Sequence, residues 1–178
     1  MNHILTLDEH EQNPATDISS RKEYYQRRTA KAILTDETGR VALLHSKVLD
    51  YYKLPGGGIK PDEEILDALA RELLEETGCE VEVTGKVGTI TEWRDTDKMK
   101  QQSYVYLASS VGEPQAPVYT QRELDEGAEL VWADDIDHAI TLIESARDIN
   151  KLAVWFMVTR DTATLRYALD NNLLSPKK

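Results

Sequence analysis

Along this chain, apolar and polar positions fall into short alternating runs, one strongly helical stretch and a helical tail. Residues 1–23 are polar and uneven; His3–Leu7 reads as a short strand and Asn13-Pro14 as a loop, which makes the segment either an added edge strand or an arm. From Arg27 the pattern sharpens. TAKAILTD and RVALLHSK are β-type runs joined by a turn at Asp36–Gly39, where Gly39 suits a positive φ. YYKLP reads as a short strand stopped by Pro55 and the three glycines Gly56–Gly58.

The spacing predicts a helix over Asp62–Thr77, with Pro61 at its entrance, acidic residues at its positive end and Gly78 at the C′ position. Ile65, Leu66, Leu69 and Leu73 make its apolar stripe. Three strand-like runs follow: EVEVTGKVGTITEW, QSYVYLASS and AELVWAD. They are separated by loops at Arg94–Gln101 and Gly112–Gly127. From Asp134 onward, Ile136, Ile140 and Ile143 mark one helix face and Leu152, Trp155 and Phe156 another. Strands, helix, strands and helices in this order predict an α/β protein, a mixed β-sheet between helices. No repeat or linker divides the chain, so residues 24–178 are expected to form one domain with residues 1–23 as an N-terminal arm or edge strand.

Composition narrows the class of partner. A formal net charge of -11 and a pI near 4.8 disfavour a nucleic-acid binder, because such a chain repels a polyphosphate backbone. A small phosphorylated ligand is compatible if cations are recruited locally. The one cysteine, Cys79, allows no internal disulfide. Neither a signal-peptide pattern nor an apolar run of membrane-spanning length is present, and the expectation is a soluble cytoplasmic protein without membrane contact.

The candidate chemistry sits on the helix. Glu72, Glu75 and Glu76 cluster beside the apolar stripe, and like charges at such spacing destabilise a helix by about 0.2–0.5 kcal/mol per pair. Arg71 is the basic residue among them and is expected to project to the next face. A divalent cation held by carboxylate oxygens would stabilise the cluster, and the Pro55–Gly58 loop could add backbone carbonyls. Hard oxygen donors without His or Cys point to Mg²⁺ or Mn²⁺ rather than Zn²⁺. Mg²⁺ commonly works with substrate phosphates, which reconciles an acidic chain with an anionic substrate.

Gly57, Glu63, Arg71, Glu72, Leu73, Glu75, Glu76 and Gly78 match, in order and spacing, the signature box of the Nudix hydrolases, which this chain resembles. Its final aliphatic position is Cys79, a small hydrophobe when buried. The resemblance implies a Nudix-type α/β/α sandwich and hydrolysis of a nucleoside diphosphate linked to another moiety, usually with Mg²⁺. It implies metal ligation by Glu72, Glu75, Glu76 and the Gly57 carbonyl, and a Glu63–Arg71 pair that steadies the loop. Glu72 is the first choice for general base; Glu126 or Glu129 is the choice for a further ligand or base.

Selectivity must come from outside the box. Lys53, Arg27 and Arg28 are candidates for phosphate contact, and Tyr51, Tyr52, Trp93, Tyr104 and Trp132 for base stacking. The expected function is a Mg²⁺-dependent pyrophosphohydrolase of a nucleoside triphosphate or a nucleotide sugar such as ADP-ribose. The alternative is a catalytically silent nucleotide-sensing module of the same fold. A homodimer, with the N-terminal arm lying across a partner, fits either.

Overall fold

Alternation along β2 (Tyr25–Thr35) organises the molecule in the computed structural model, which describes residues 1–174. Ala30, Ala32 and Leu34 turn to one face of the sheet, and Thr29, Lys31 and Ile33 to the other, as a period of two requires. β7 (Met99–Val111) runs parallel to β2, from Tyr25 opposite Met99 to Thr35 opposite Ser109. β6 (Glu80–Arg94) pairs antiparallel with β7. On the other side of β2, β5 (Gly56–Gly58) pairs with Thr29–Lys31 and β3 (Val41–Ser46) meets its end at Thr35. β3 in turn carries β4 (Tyr51–Lys53) and β8 (Ala128–Ala133), completing a mixed sheet of eight strands with β1 at the far edge.

That edge resolves the N-terminus: β1 (His3–Asp8) is a strand running parallel to β6. The short α1 (Glu9–Gln12) follows, with Asp8 as its cap. Arg21 then ties the segment down by bonding Asp8 on its own side and Asp95 across the β6–β7 turn.

Helices cover both faces and make three layers. α2 (Ile65–Thr77) lays Ala68, Leu69 and Leu73 on Ala30, Ala32, Leu34 and Tyr106, with Cys79 buried in the same cluster. α4 (Ile136–Glu144) and α5 (Leu152–Asp170) cover the other face through Ile140, Ile143, Val154, Val158 and Leu165. The fold is therefore α/β with a mixed sheet between helices, as the strand order predicts.

Three boundaries differ from the sequence reading. The first helix begins at Ile65 rather than Asp62: Asp62 has φ 61°, a left-handed conformation that cannot lie inside an α-helix, and Pro61 belongs to the turn before it. The expected loop Arg94–Gln101 shrinks to the turn Asp95–Lys98, because Arg94 pairs with Met99 and Trp93 with Lys100, which carries the β6–β7 ladder to its end. Within Gly112–Gly127 lies α3 (Gln121–Asp125), opened by a reciprocal capping box between Thr120 and Glu123.

Candidate active site

The glycine loop is shaped by two close approaches. Gly56 has φ 119°, and a β-carbon there would overlap the Ala30 carbonyl of β2. At Gly57 a β-carbon would fall on the Glu72 carboxylate, so the bare α-carbon is what lets strand and helix approach. Glu63 stays outside the helix and takes two bonds from Arg71, Nε to Oε1 at 2.8 Å and Nη2 to Oε2 at 2.9 Å. Arg71 also bonds the Gly58 carbonyl at 3.0 Å, which fixes the loop to the helix. The Arg71 guanidinium first, then the Lys60 N–H, hold the Glu63 carboxyl down at about 2.

Arg71 does not project away from the acidic cluster. Its Nη1 bonds Glu72 at 2.8 Å and Glu75 at 3.2 Å, so the helix carries its own cation among the carboxylates. The three glutamates then diverge in environment. Glu76 is 3% exposed, accepts the Gly56 N–H at 2.5 Å and faces Lys53 Nζ at 3.6 Å. Glu72 is half-buried and lines the same cavity. Glu75 is more open, its side chain 41% exposed, and lies outside the cavity lining.

Burial pushes the Glu76 carboxyl up, against the opposing charges of Lys53 and Lys31. Lys31 is buried beneath β5 and donates to the Leu54 carbonyl at 2.7 Å; burial pushes its ammonium down. Glu123 of α3 lies beside Glu76 in the cavity lining. Burial raises its carboxyl, but the Thr120 N–H and hydroxyl, the Lys53 charge and the contact with Glu76 together hold it below the usual range.

A cavity of about 450 Å³ joins these groups. Carboxylates of Glu72, Glu76, Glu123, Glu126 and Asp97 line it together with Lys31, Lys53, Arg27, Arg94, Arg122 and Arg160. Arg160 on α5 is buried, and is held by Asp161 at 2.6 Å and by the buried Glu92 at 3.1 Å. A chain of net charge -11 thus concentrates cations on one internal surface.

Of the residues singled out from sequence, the cavity brings together Glu72, Glu76, Gly57, Lys53, Arg27, Tyr51 and Glu126. Arg28 turns to the opposite face of β2, over the Tyr104 ring, because adjacent strand residues point opposite ways. Glu129 bonds His45 at 3.1 Å and Lys47 at 2.5 Å at the β3–β8 pair, outside the cavity. Among the candidate stacking residues, Tyr52 lies on His45, Trp93 between Arg21 and Lys100, and Trp132 under Arg40. Lys31, Glu123, Arg94 and Arg160 were missed. The Thr120-x-x-Glu123 capping box was readable and would have placed Glu123 on a helix; the two arginines meet only through strand register and tertiary packing.

A glycine loop clamped to an acidic helix, within three layers, is the architecture that the sequence motif implies. A family model described as the NUDIX domain matches residues 25–152, and the chain belongs to that family. Its relatives include a putative 8-oxo-dGTP diphosphatase of Bacillus subtilis, 29% identical over 47% of this chain and 53% of the relative. Another is the diphosphoinositol polyphosphate phosphohydrolase 2 of Rattus norvegicus, 34% identical over 48% of this chain and 47% of the relative. The chain thus spans about half the length of these curated relatives. The crystal structure of a MutT protein from Methanosarcina mazei shares the fold, with a TM-score of 0.58 at 21% identity over 84% of this chain and 97% of that one. No helix among the described residues is long and apolar enough to cross a membrane.

NUDIX hydrolases generally use divalent metal ions. Among the described residues, no three His, Cys, Asp or Glu side chains converge closely enough to hold an ion by themselves. The donors nevertheless fit a hard cation that draws its remaining ligands from water and phosphate. Glu72 and Glu76 line one cavity, and the Gly57 α-carbon leaves room that any β-carbon would fill.

Proposed function

We propose that this chain is a Mg²⁺-dependent pyrophosphohydrolase that cleaves a diphosphate bond in a nucleotide-type substrate. One observation carries the reading: two carboxylates, Glu72 and Glu76, share a cavity with Lys53 and Lys31, so that a cation-binding edge stands beside a phosphate-binding one. Both relatives named above act, by their names, on compounds containing a phosphoric anhydride.

Glu72, Glu76 and the Gly57 carbonyl would hold the ion, and Glu75 could join once Arg71 releases it. When bound, the ion supplies neutralisation of the phosphate oxygens and acidifies a water. Lys53 binds the diphosphate charge and, beside Glu76, keeps that carboxyl from acting as an unpaired buried anion. Glu72, with Glu123 beside Glu76, would accept the proton of the attacking water. Arg71 and Glu63 keep the loop and helix in register during turnover.

A panel of nucleoside triphosphates, nucleotide sugars and dinucleoside polyphosphates, assayed with and without Mg²⁺, tests this. Hydrolysis of at least one compound only when Mg²⁺ is present is expected. Binding without hydrolysis of any of them would instead favour a nucleotide-sensing module.

A further inference from the structure

Away from the acidic helix, the cavity wall includes side chains that β2 and β7 turn to one face of the sheet. Thr29 lies opposite Ser103, and Gln101 lies opposite Glu92 of β6 on its other side. Thr29 and Gln101 line the cavity yet are only 4% and 3% exposed, and Ser103, bonded to both, is fully buried.

The Gln101 amide can sit only one way round. Its Nε2 donates to Glu92 at 3.1 Å and to the Ser103 oxygen at 3.4 Å, and Glu92 also accepts from Arg94 and Arg160. Turning the amide over would set its oxygen against that carboxylate. The amino end is therefore fixed on Glu92, and Oε1 is fixed away from it. Among the described residues no side-chain or backbone donor bonds Oε1. Nor is Oε1 sealed in the interior: among the described residues, the sealed polar side-chain atoms without a partner are His45 Nε2 and Thr162 Oγ1. It opens onto the cavity. Gln102, on the opposite face of β7, makes the contrast: it donates to the Ile90 carbonyl at 3.2 Å and accepts from Thr91 at 3.0 Å.

A buried amide with one half bonded and the other open to a cavity is completed by a donor on a ligand. The buried lining residues Thr29, Lys31 and Arg160, each 4% exposed, make a polar surface. Tyr51 is the one aromatic residue among the lining residues; it is 2% exposed, and its hydroxyl is turned to Glu126 at 3.4 Å. A nucleobase finds no open ring to stack on there, whereas a sugar hydroxyl supplies the missing donor.

We propose that Gln101 is a specificity-determining residue whose Oε1 accepts a hydrogen bond from a hydroxyl of a sugar carried by the diphosphate. The inference rests on the pyrophosphohydrolase reading for the diphosphate and adds which group beyond it is recognised.

The test uses UDP-glucose, its 2-, 3-, 4- and 6-deoxy analogues, and ADP-glucose. Calorimetric titration with Ca²⁺ in place of Mg²⁺ reads binding apart from turnover, for the parent chain and for Gln101→Met, which removes the acceptor at similar volume. The parent should lose at least tenfold in affinity on one deoxy analogue. Gln101→Met should lose at least tenfold on UDP-glucose and equally on ADP-glucose, and should no longer distinguish that analogue by more than twofold. Equal affinity of the parent for UDP-glucose and all four analogues overturns the assignment without recourse to a variant. So does a variant that keeps the parent's discrimination, a loss that follows the base rather than the hydroxyl, or no binding of either sugar nucleotide at millimolar concentration. Hydrolysis with Mg²⁺ separates the two readings. Gln101-dependent discrimination without turnover keeps the subsite and removes the hydrolase; turnover that ignores Gln101 does the reverse.

Discussion

Glu63 and Gly57 show how much single residues decide. Glu63 is half-buried, and its bonds to Arg71 and the Lys60 N–H lower its carboxyl to about 2. A lowered carboxyl stabilises the fold above its unfolded pKa, near 4.5, and that stabilisation is lost as pH falls towards 2. Glu63→Gln should therefore unfold at lower denaturant than the parent at pH 7, with the gap closing between pH 4.5 and 2; a gap independent of pH would remove this role. Gly57→Ala would drive a methyl onto Glu72, whereas a β-carbon at Gly58 meets nothing within 4 Å. We expect Gly57→Ala to lose at least tenfold in kcat and Gly58→Ala to stay within about twofold, measured on the same substrate. The identities at these positions were legible in the spacing of the motif. The direction of Arg71 was not, because a long side chain on a helix can swing to either neighbouring face, and only the placement of Glu63 outside the helix decides which.

At the scale of elements, α5 matters beyond its apolar contacts. Its Arg160 and Asp161 are buried against Glu92 of β6 and the Leu54 N–H before the glycine loop, which couples the helix to the floor and rim of the cavity. Removing one member of a buried ion network leaves its partners uncompensated, at a cost of about 3–5 kcal/mol. Arg160→Met should accordingly lower stability by about that amount in chemical denaturation, while the exposed Arg166→Met should shift it by less than about 1 kcal/mol. Strand runs, the acidic helix and the helical tail were all readable from periodicity. The polar residues of α5 were not readable as a network, since Arg160-Asp161 looks like ordinary helix surface until β6 is placed beneath it. The choice of Arg28 failed for a related reason: the register of β2, set by β7 and β5, decides which of two adjacent arginines faces the cavity.

For the whole molecule, the governing feature is a net charge of -11 around a cavity whose lining carries six cations beside five carboxylates. The outer charge repels an anionic substrate at long range, while the cations recessed in the cavity act mainly at contact. Salt screens exposed charges beyond roughly 10 Å at 0.1 M and buried ones much less. At saturating Mg²⁺, kcat/KM for an anionic diphosphate should therefore hold or rise between low salt and 0.15 M; a steep fall would mean that steering by exposed cations dominates. The acidic total was legible in the composition, but the gathering of six cations at one cavity was not, because charge counts carry no position. The most direct test of the account is the kcat of Glu72→Gln on a substrate that the parent hydrolyses with Mg²⁺. Loss of several kcal/mol of transition-state stabilisation predicts a fall of about 10²-fold or more with the fold intact, whereas turnover within a few-fold of the parent would contradict a carboxylate-held ion as the centre of this site.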